Sequence, residues 1–92
     1  MLVLKVIHPD ETAKGIKFNE QPNGNSAIAV ECENATRDTV ILFGGHPLPT
    51  VFGNSSLLTA EVPAEYYAQP GVIQVSLKGS SGQSGSLPFA VR

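Results

Sequence analysis

The sequence has no tryptophan, one cysteine, few charged residues and no long apolar run. Cys32 has no second cysteine within the chain to pair with, so the fold must be held by its core without an internal disulfide. No apolar run approaches the roughly 18 residues that a membrane span requires, and the amino end, MLVLKVIHPDET, shows no signal peptide. The chain is therefore not expected to insert into a membrane.

Charge is scarce and scattered along the chain. Six Lys and Arg residues against eight Asp and Glu residues give a formal net charge of −2. Because no basic stripe is available to neutralise phosphates, a nucleic acid is not an expected partner. Apolar residues make up 41% of the sequence, which is typical of a chain that folds around a core, and residues 1–92 are predicted to form a single domain.

Short runs that alternate between apolar and polar residues dominate the sequence. In one run Ile28, Val30 and Cys32 are predicted to point inward, while Glu31 and Glu33 point to water. Three later runs have the same alternation, with inward sets Leu58, Ala60 and Val62, then Ile73, Val75 and Leu77, then Leu87, Phe89 and Val91. The pattern predicts an all-β immunoglobulin-like sandwich of about seven strands with Greek-key connections.

Other segments carry more local predictions. The continuously apolar run 39–43 is typical of a central strand that is covered on both faces or meets a partner with its outer face. A short strand is expected around Ile16 and Phe18, and about one helical turn is expected within 64–69. The stretch 79–85, GSSGQSG, is predicted to be a flexible hairpin tip.

Several segments of the second half follow one another with a characteristic spacing. In order, they are Leu58-Thr59-Ala60, Val62-Pro63-Ala64, Pro70-Gly71, Val75, Ser84 to Ser86 and Phe89-Ala90-Val91. With this spacing the stretch from Ile41 to Arg92 resembles the IPT/TIG family, immunoglobulin-like domains of the early-set type. The family's Gly-x-x-Phe after the second strand is missing, and its place is held by Glu33 to Thr36. The resemblance implies a non-enzymatic spacer, dimerisation surface, protein-binding module or carbohydrate-enzyme accessory.

The sequence offers little for catalysis. GSSGQSG does not match the G-x-S-x-G pattern of a nucleophile elbow. Glu31 and Glu33 are neighbours on one wet strand face, where carboxylates are ordinarily just solvated. His8 and His46 lack a third ligand at metal-like spacing. We therefore predict that the chain is not an enzyme and has no cofactor and no metal site.

Binding residues are expected on the surface instead. Tyr66 and Tyr67 lie in a Pro-bounded corner whose main predicted role is to carry the chain between sheets, with interface contact as the alternative. In one register of the strands, Ile41, Phe43 and Leu57 would form an apolar outer patch. The Gly- and Pro-rich loop 44–53 is a further candidate. The candidate binding residues are Phe43, His46, Phe52, Tyr66 and Tyr67.

These features predict a non-catalytic immunoglobulin-like structural or protein-interaction module, with a protein partner or self-association. One specific form is a stand-alone accessory or decoration protein of a larger assembly such as a virion. The alternative is a carbohydrate-binding accessory domain of a bacterial surface or secreted protein, with an aromatic platform made by Tyr66, Tyr67 or Phe52. A full-length chain would reside in a virion or the cytoplasm, and an excised domain would be extracellular.

Overall fold

The computed structural model describes residues 1–80 and 82–92. Ser81, which belongs to the predicted hairpin tip 79–85, lies outside the described residues. The strands are β1 (Val3–His8), β2 (Glu11–Thr12), β3 (Ser26–Glu33), β4 (Val40–Phe43), β5 (His46–Pro47), β6 (Thr50–Asn54), β7 (Leu57–Val62), β8 (Gly71–Gly79), β9 (Gly82–Gln83) and β10 (Leu87–Val91). A single 3₁₀ turn, Ala64–Tyr67, is the helical element of the described residues.

The strands form two sheets. The smaller sheet has the order β1-β3-β7-β6, and the larger has the order β2-β10-β8-β4-β5, with β9 paired to β8. The pairs are antiparallel except for β2, which runs parallel to β10. Seven of the ten described strands are longer than two residues, in agreement with the predicted number. The all-β sandwich without a disulfide is confirmed, while its Greek-key and early-set assignment stays a prediction.

The core lies between the sheets and is made by alternate residues of the strands. In β3 the inward residues Ile28, Val30 and Cys32 are at most 2% exposed, and Glu31 and Glu33 are exposed, as predicted. The predicted inward sets of β7, β8 and β10 also point to the core, although Ile73 and Leu87 remain half-buried at its margin. The largest fully buried side chains are Tyr67, Phe43, Phe89, Ile28, Ile41, Leu58 and Leu77.

The register of β4 contradicts the predicted outer patch, while the alternative in which the outer face of this strand meets a partner stays a prediction. Ile41 and Phe43 are at most 1% exposed and face the core, so the prediction that they form an outer patch is wrong. Val40 and Leu42 point outward and are half-buried, so β4 is not covered on both faces. Residues 40–43 are all apolar, so the sequence does not show which face of the strand is inward, and a shift of one residue exchanges the two faces. Leu57 does point outward and is 39% exposed.

Residues 13–25 contain turns and no strand, so the strand predicted around Ile16 and Phe18 is absent. The backbone of this segment bonds to other parts of the chain instead: the N–H of Gly15 donates to the carbonyl of Tyr67, and the carbonyl of Phe18 accepts from the N–H of Ala27. The Phe18 ring still packs against the core. The segment therefore closes one end of the sandwich as an anchored loop.

The amino-terminal segment divides between the sheets. β1 is an edge strand of the smaller sheet and ends at His8, directly before Pro9, which has no backbone N–H to donate to a neighbouring strand. The His8–Pro9 peptide bond is cis, and the chain then enters the larger sheet as β2. Three backbone bonds of 2.8–2.9 Å join the segment Asp10–Lys14 to Ala90 and Arg92. Among the described residues no helix is long and apolar enough to cross a membrane.

Candidate binding surfaces

Two of the five predicted binding residues are part of the core. Phe43 and Tyr67 are each 1% exposed, so neither side chain can contact a partner, and these two predictions are wrong. Phe43 is inward because of the register of β4. The 3₁₀ turn directs the Tyr67 side chain into the core and leaves the Tyr66 side chain at the edge of the core.

Tyr67 instead connects the 3₁₀ turn to the smaller sheet. The N–H of Phe18 donates to Ser26 Oγ at 3.0 Å, and that hydroxyl donates to the phenolic oxygen of Tyr67 at 2.9 Å. The Tyr67 ring packs against the Phe18 ring with centroids 5.1 Å apart. The buried polar atoms are thus satisfied, as buried polar groups normally are. The predicted architectural role of this corner is confirmed for Tyr67.

Three predicted residues do meet at one end of the larger sheet. The ring of Tyr66 lies between that of Phe43, at a centroid distance of 5.8 Å, and that of His46, at 5.7 Å. The turn between β4 and β5 makes this possible: Gly44 and Gly45 have φ of +60° and +86°, which is typical of a two-residue hairpin. His46 is exposed and Tyr66 half-buried, so this pair is an accessible aromatic surface of modest size.

Phe52 lies apart from this cluster. It is half-buried on β6 and packs against the core at the margin of the smaller sheet. The guanidinium of Arg37 lies 5.1 Å from the centre of its ring and covers it. Of the residues predicted for an aromatic platform, Tyr67 is therefore buried, and Phe52 and Tyr66 lie on separate surfaces.

The outer faces of the two sheets differ in charge, apart from the β2 edge of the larger sheet, where Glu11 forms an ion pair with Arg92. The smaller sheet carries an ion pair, in which Lys5 Nζ lies 3.4 Å from Glu33 Oε2, and a hydrogen bond of 2.6 Å between His8 Nε2 and Glu31 Oε2. On the larger sheet, the outward positions of β4, β8 and β10 hold one charged residue, Lys78. We call this surface the contact face, and its members are Val40, Leu42, Val72, Gln74, Ser76, Lys78, Pro88 and Ala90.

A groove of about 450 Å³ opens at one end of the contact face. Its apolar lining comes from Val40, Leu42 and Pro47, and its charged residues are Asp38 and Lys78. Asp38 accepts hydrogen bonds from the Thr36 hydroxyl and from the backbone N–H of Ser80, and these bonds hold the pKa of its carboxyl below the ordinary value. Asp38 is therefore a fixed negative charge beside an apolar groove.

A second concave surface lies on the smaller sheet, and sequence reasoning missed it. This trough, of about 410 Å³, has a floor of short side chains on β3 and β7, namely Ala27, Ala29 and Thr59. The loop 19–25 forms one wall, and the residues from Pro49 to Val51 form the other. The residues that line it come from segments distant in sequence, so no local motif marks them.

The loop wall of the trough is fixed by side-chain hydrogen bonds. Glu61 Oε1 accepts from the amide nitrogens of Asn23, at 2.8 Å, and Asn25, at 3.0 Å, and these bonds hold the pKa of the Glu61 carboxyl below the ordinary value. Gln21 donates through its amide to the carbonyl of Asn19 at 2.8 Å. The wall therefore presents a carboxylate and carboxamides in a set arrangement.

The described side chains offer little support for nucleophilic catalysis or for metal binding. Cys32 is 2% exposed, and burial raises the pKa of its thiol, which disfavours the nucleophilic thiolate. In the described part of the chain, no group of three or more His, Cys, Asp or Glu side chains is placed to hold a metal ion.

The fold and these surfaces define the chain as an all-β sandwich domain with one nearly uncharged sheet face and one polar trough. No protein-family model matches the chain, and no curated protein matches it. Among solved structures it is similar to an auxiliary nutrient binding protein from Bacteroides thetaiotaomicron, with a TM-score of 0.63 and 19% sequence identity. The similarity covers 99% of this chain and 21% of that protein, so the chain spans about a fifth of its length. At this identity the likeness concerns the fold.

Proposed function

We propose that this domain is a non-catalytic protein-contact module that associates with a second copy of itself through the contact face. The observation that carries the proposal is the difference in charge between the two sheets. The Lys5–Glu33 ion pair and the carboxylate of Glu31 lie on the outer side of β1 and β3, whereas the contact face exposes Val72 at 63% and has Lys78 as its single charge. Interface cores are depleted of charge relative to the rest of a protein surface, and the contact face has that composition.

The size of the face suits a stable contact. The two longer extents of the molecule are 33 and 26 Å, so a whole sheet face, which is the upper limit for the contact face, is on the order of 800 Å², the area that one partner contributes to a standard interface. The groove beside Val40 and Leu42 is a recess in which a partner side chain can pack.

The charges of the groove fit a second copy. A symmetric dimer uses the same patch on both protomers, so each charge must meet its opposite across the two-fold axis. With the axis between Lys78 and Asp38, at the end of the contact face next to Val40, Lys78 of one protomer faces Asp38 of the other, twice. Lys78 forms no ion pair with another described residue, which leaves it available for this contact.

The proposal includes no catalysis because the side chains that could react are either engaged with a partner or buried. Glu31 and Glu33 bind His8 and Lys5, and the Cys32 thiol is buried. In a larger assembly, such as a virion or a multidomain surface protein, a sheet-to-sheet contact would hold the module in place without chemistry. We retain the IPT/TIG assignment as part of the proposal, supported by the Pro63 corner between β7 and β8.

Two complementary charge reversals test the contact. Lys78→Glu places like charges opposite Asp38 in a homodimer, and Asp38→Lys does the same opposite Lys78. We expect sedimentation of the native chain to show dimers as the protein concentration is raised to about 1 mM. Either variant alone should be monomeric, and mixing the two variants should restore the dimer.

Lys5→Glu on the smaller sheet makes the same charge change away from the contact face and should leave the dimer intact. Asp38→Lys also removes the bonds to Thr36 and Ser80, so its thermal midpoint is measured to show that it folds. A native chain that stays monomeric overturns the proposal. A native dimer that survives both reversals places the contact elsewhere and also overturns it.

A further inference from the structure

We propose that the trough on the smaller sheet is a binding site for a neutral saccharide. This inference goes beyond the proposed function, because the trough lies on the opposite sheet from the contact face. Its volume of about 410 Å³ falls within the range of small-molecule sites. The depth comes from the sequence: Ala29 pairs with Thr59, and Thr59 with Val51, so short side chains form the floor in the middle of the sheet.

The polar groups of the trough favour a ligand that donates hydrogen bonds. Glu61 uses Oε1 for Asn23 and Asn25, and its second carboxylate oxygen is not engaged in those bonds. Gln21 donates through its amide nitrogen, which leaves the amide oxygen as an acceptor. Thr59, which bears a hydroxyl, also lines the trough. Sugar hydroxyls are donors of the required kind, and carboxylate acceptors give the stronger, charge-assisted bonds.

The remaining lining fits the apolar side of a sugar ring. Ala27 and Ala29 on the floor, with Pro49 and Val51 on the wall, present methyl and methylene groups against which C–H groups can pack. No Lys or Arg lines the trough and Glu61 is ionised, so an anionic ligand would be repelled. The chemistry therefore selects a neutral polyhydroxylated ligand.

The wall is organised before any ligand binds. Besides the bonds to Glu61, the backbone N–H of Gln21 donates to the carbonyl of Asn25 at 2.8 Å, and that of Gly24 donates to the carbonyl of Gln21 at 2.8 Å. Asn19 adds a bond from its side-chain amide to the carbonyl of Ala27 at 3.3 Å, which ties the loop to the floor. A wall that is already ordered lowers the entropic cost of binding.

The test is a titration followed by the backbone amide signals in NMR. The titration uses the Lys78→Glu variant, in which the proposed dimer contact is removed. A lack of saccharide binding can then be distinguished from a lack of self-association. The panel holds neutral α- and β-linked gluco-, manno- and xylo-oligosaccharides, with a uronic-acid oligosaccharide as the anionic member. We expect at least one neutral member to shift the signals of Ala27, Ala29 and Thr59, and the anionic member to shift none of them.

Two variants and a matched control locate the site. Ala29→Phe fills the trough on an outward position and should weaken binding at least tenfold. Glu61→Gln keeps the size of the side chain but removes its charge, and should weaken binding about fivefold. Glu33→Gln makes the same change on the same sheet outside the trough and should have no effect. Thermal midpoints of the variants show that each is folded.

Three results would overturn the saccharide site. The first is that no neutral member produces a response. The second is that the shifts map to His46 and Tyr66, which would make the aromatic pair the site. The third is that Ala29→Phe binds as tightly as its parent while remaining folded.

Discussion

The side-chain hydroxyl of Ser26 donates a hydrogen bond of 2.9 Å to the phenolic oxygen of Tyr67, and this bond ties β3 to the 3₁₀ turn that carries the chain from the smaller to the larger sheet. Both residues are at most 1% exposed. A polar contact at this depth fixes the corner in one arrangement, because each partner would be left unsatisfied in any other.

The corner bond can be measured by a pair of matched substitutions. Tyr67→Phe removes the phenolic oxygen and should lower the free energy of unfolding by about 1–2 kcal/mol in urea denaturation, because the buried Ser26 hydroxyl loses its acceptor. Tyr66→Phe removes the same atom from a half-exposed ring and should change stability by less than about 0.5 kcal/mol. Equal losses in the two variants would contradict the assignment.

A side chain added at Gly44, in the hairpin turn between β4 and β5, should lower the stability of the fold. Gly44 has φ of +60°, and a Cβ at this position would lie 3.3 Å from Ile73 Cγ2. Gly44→Ala should therefore cost about 1–2 kcal/mol in thermal or urea unfolding. Gly85→Ala is the control, since a Cβ there meets nothing within 4 Å and its φ is not left-handed. If Gly85→Ala is the more harmful change, the turn geometry is wrong.

The buried thiol should be chemically silent in the folded protein. Cys32 is 2% exposed and burial raises its pKa, so an aromatic disulfide reagent at about pH 8 should react at least ~100-fold more slowly with the native chain than with the chain in urea. Ser86→Cys adds a thiol at an exposed position and gives the rate of an accessible group. Native labelling of Cys32 at that rate would refute the prediction.

The bonds from Asn23 and Asn25 make Glu61 a source of acid sensitivity. The pKa of the Glu61 carboxyl in the folded protein lies below its value in the unfolded chain. Its contribution to the free energy of unfolding is therefore present above the ordinary glutamate pKa of about 4.3 and is lost as the pH falls through the lower, folded-state pKa.

Glu61→Gln provides the comparison for this pH dependence. The native chain should be more stable than the variant at about pH 6, and the two urea midpoints should converge as the pH approaches about 3. The effect should be small, because the carboxylate is accessible to solvent and partly screened. A difference that stays constant over this range would show that the charge of Glu61 is not responsible.

The sequence predicts the core best where polar residues mark one side of a strand. In β3 the glutamates at 31 and 33 identify the wet face, so the inward residues follow by alternation. Residues 40–43 have no such mark, and the polar residue before them, Thr39, is itself buried at 3%, so the pattern predicts the wrong face for Phe43. The adjacent tyrosines pose a similar problem, because the direction of a single 3₁₀ turn decides which one is buried.

The trough could not be predicted from any local pattern. Its floor depends on the cross-strand neighbours Ala29, Thr59 and Val51, which lie on three different strands. Its wall depends on a loop whose order comes from bonds to Glu61, well over thirty residues further along the chain. Single alanines on a strand carry no signal of their own, and they form a concavity only when strand pairing brings small side chains together.

The parallel pairing of β2 with β10 sets how the domain responds to mechanical force. When the chain is stretched between Asp10 and Arg92, the backbone bonds that join Asp10–Lys14 to Ala90 and Arg92 lie across the direction of pull. They must then rupture together in shear instead of opening one after another like a zipper. The domain should therefore transmit tension as a stiff link, and extension should begin only after this short pair of strands slides apart.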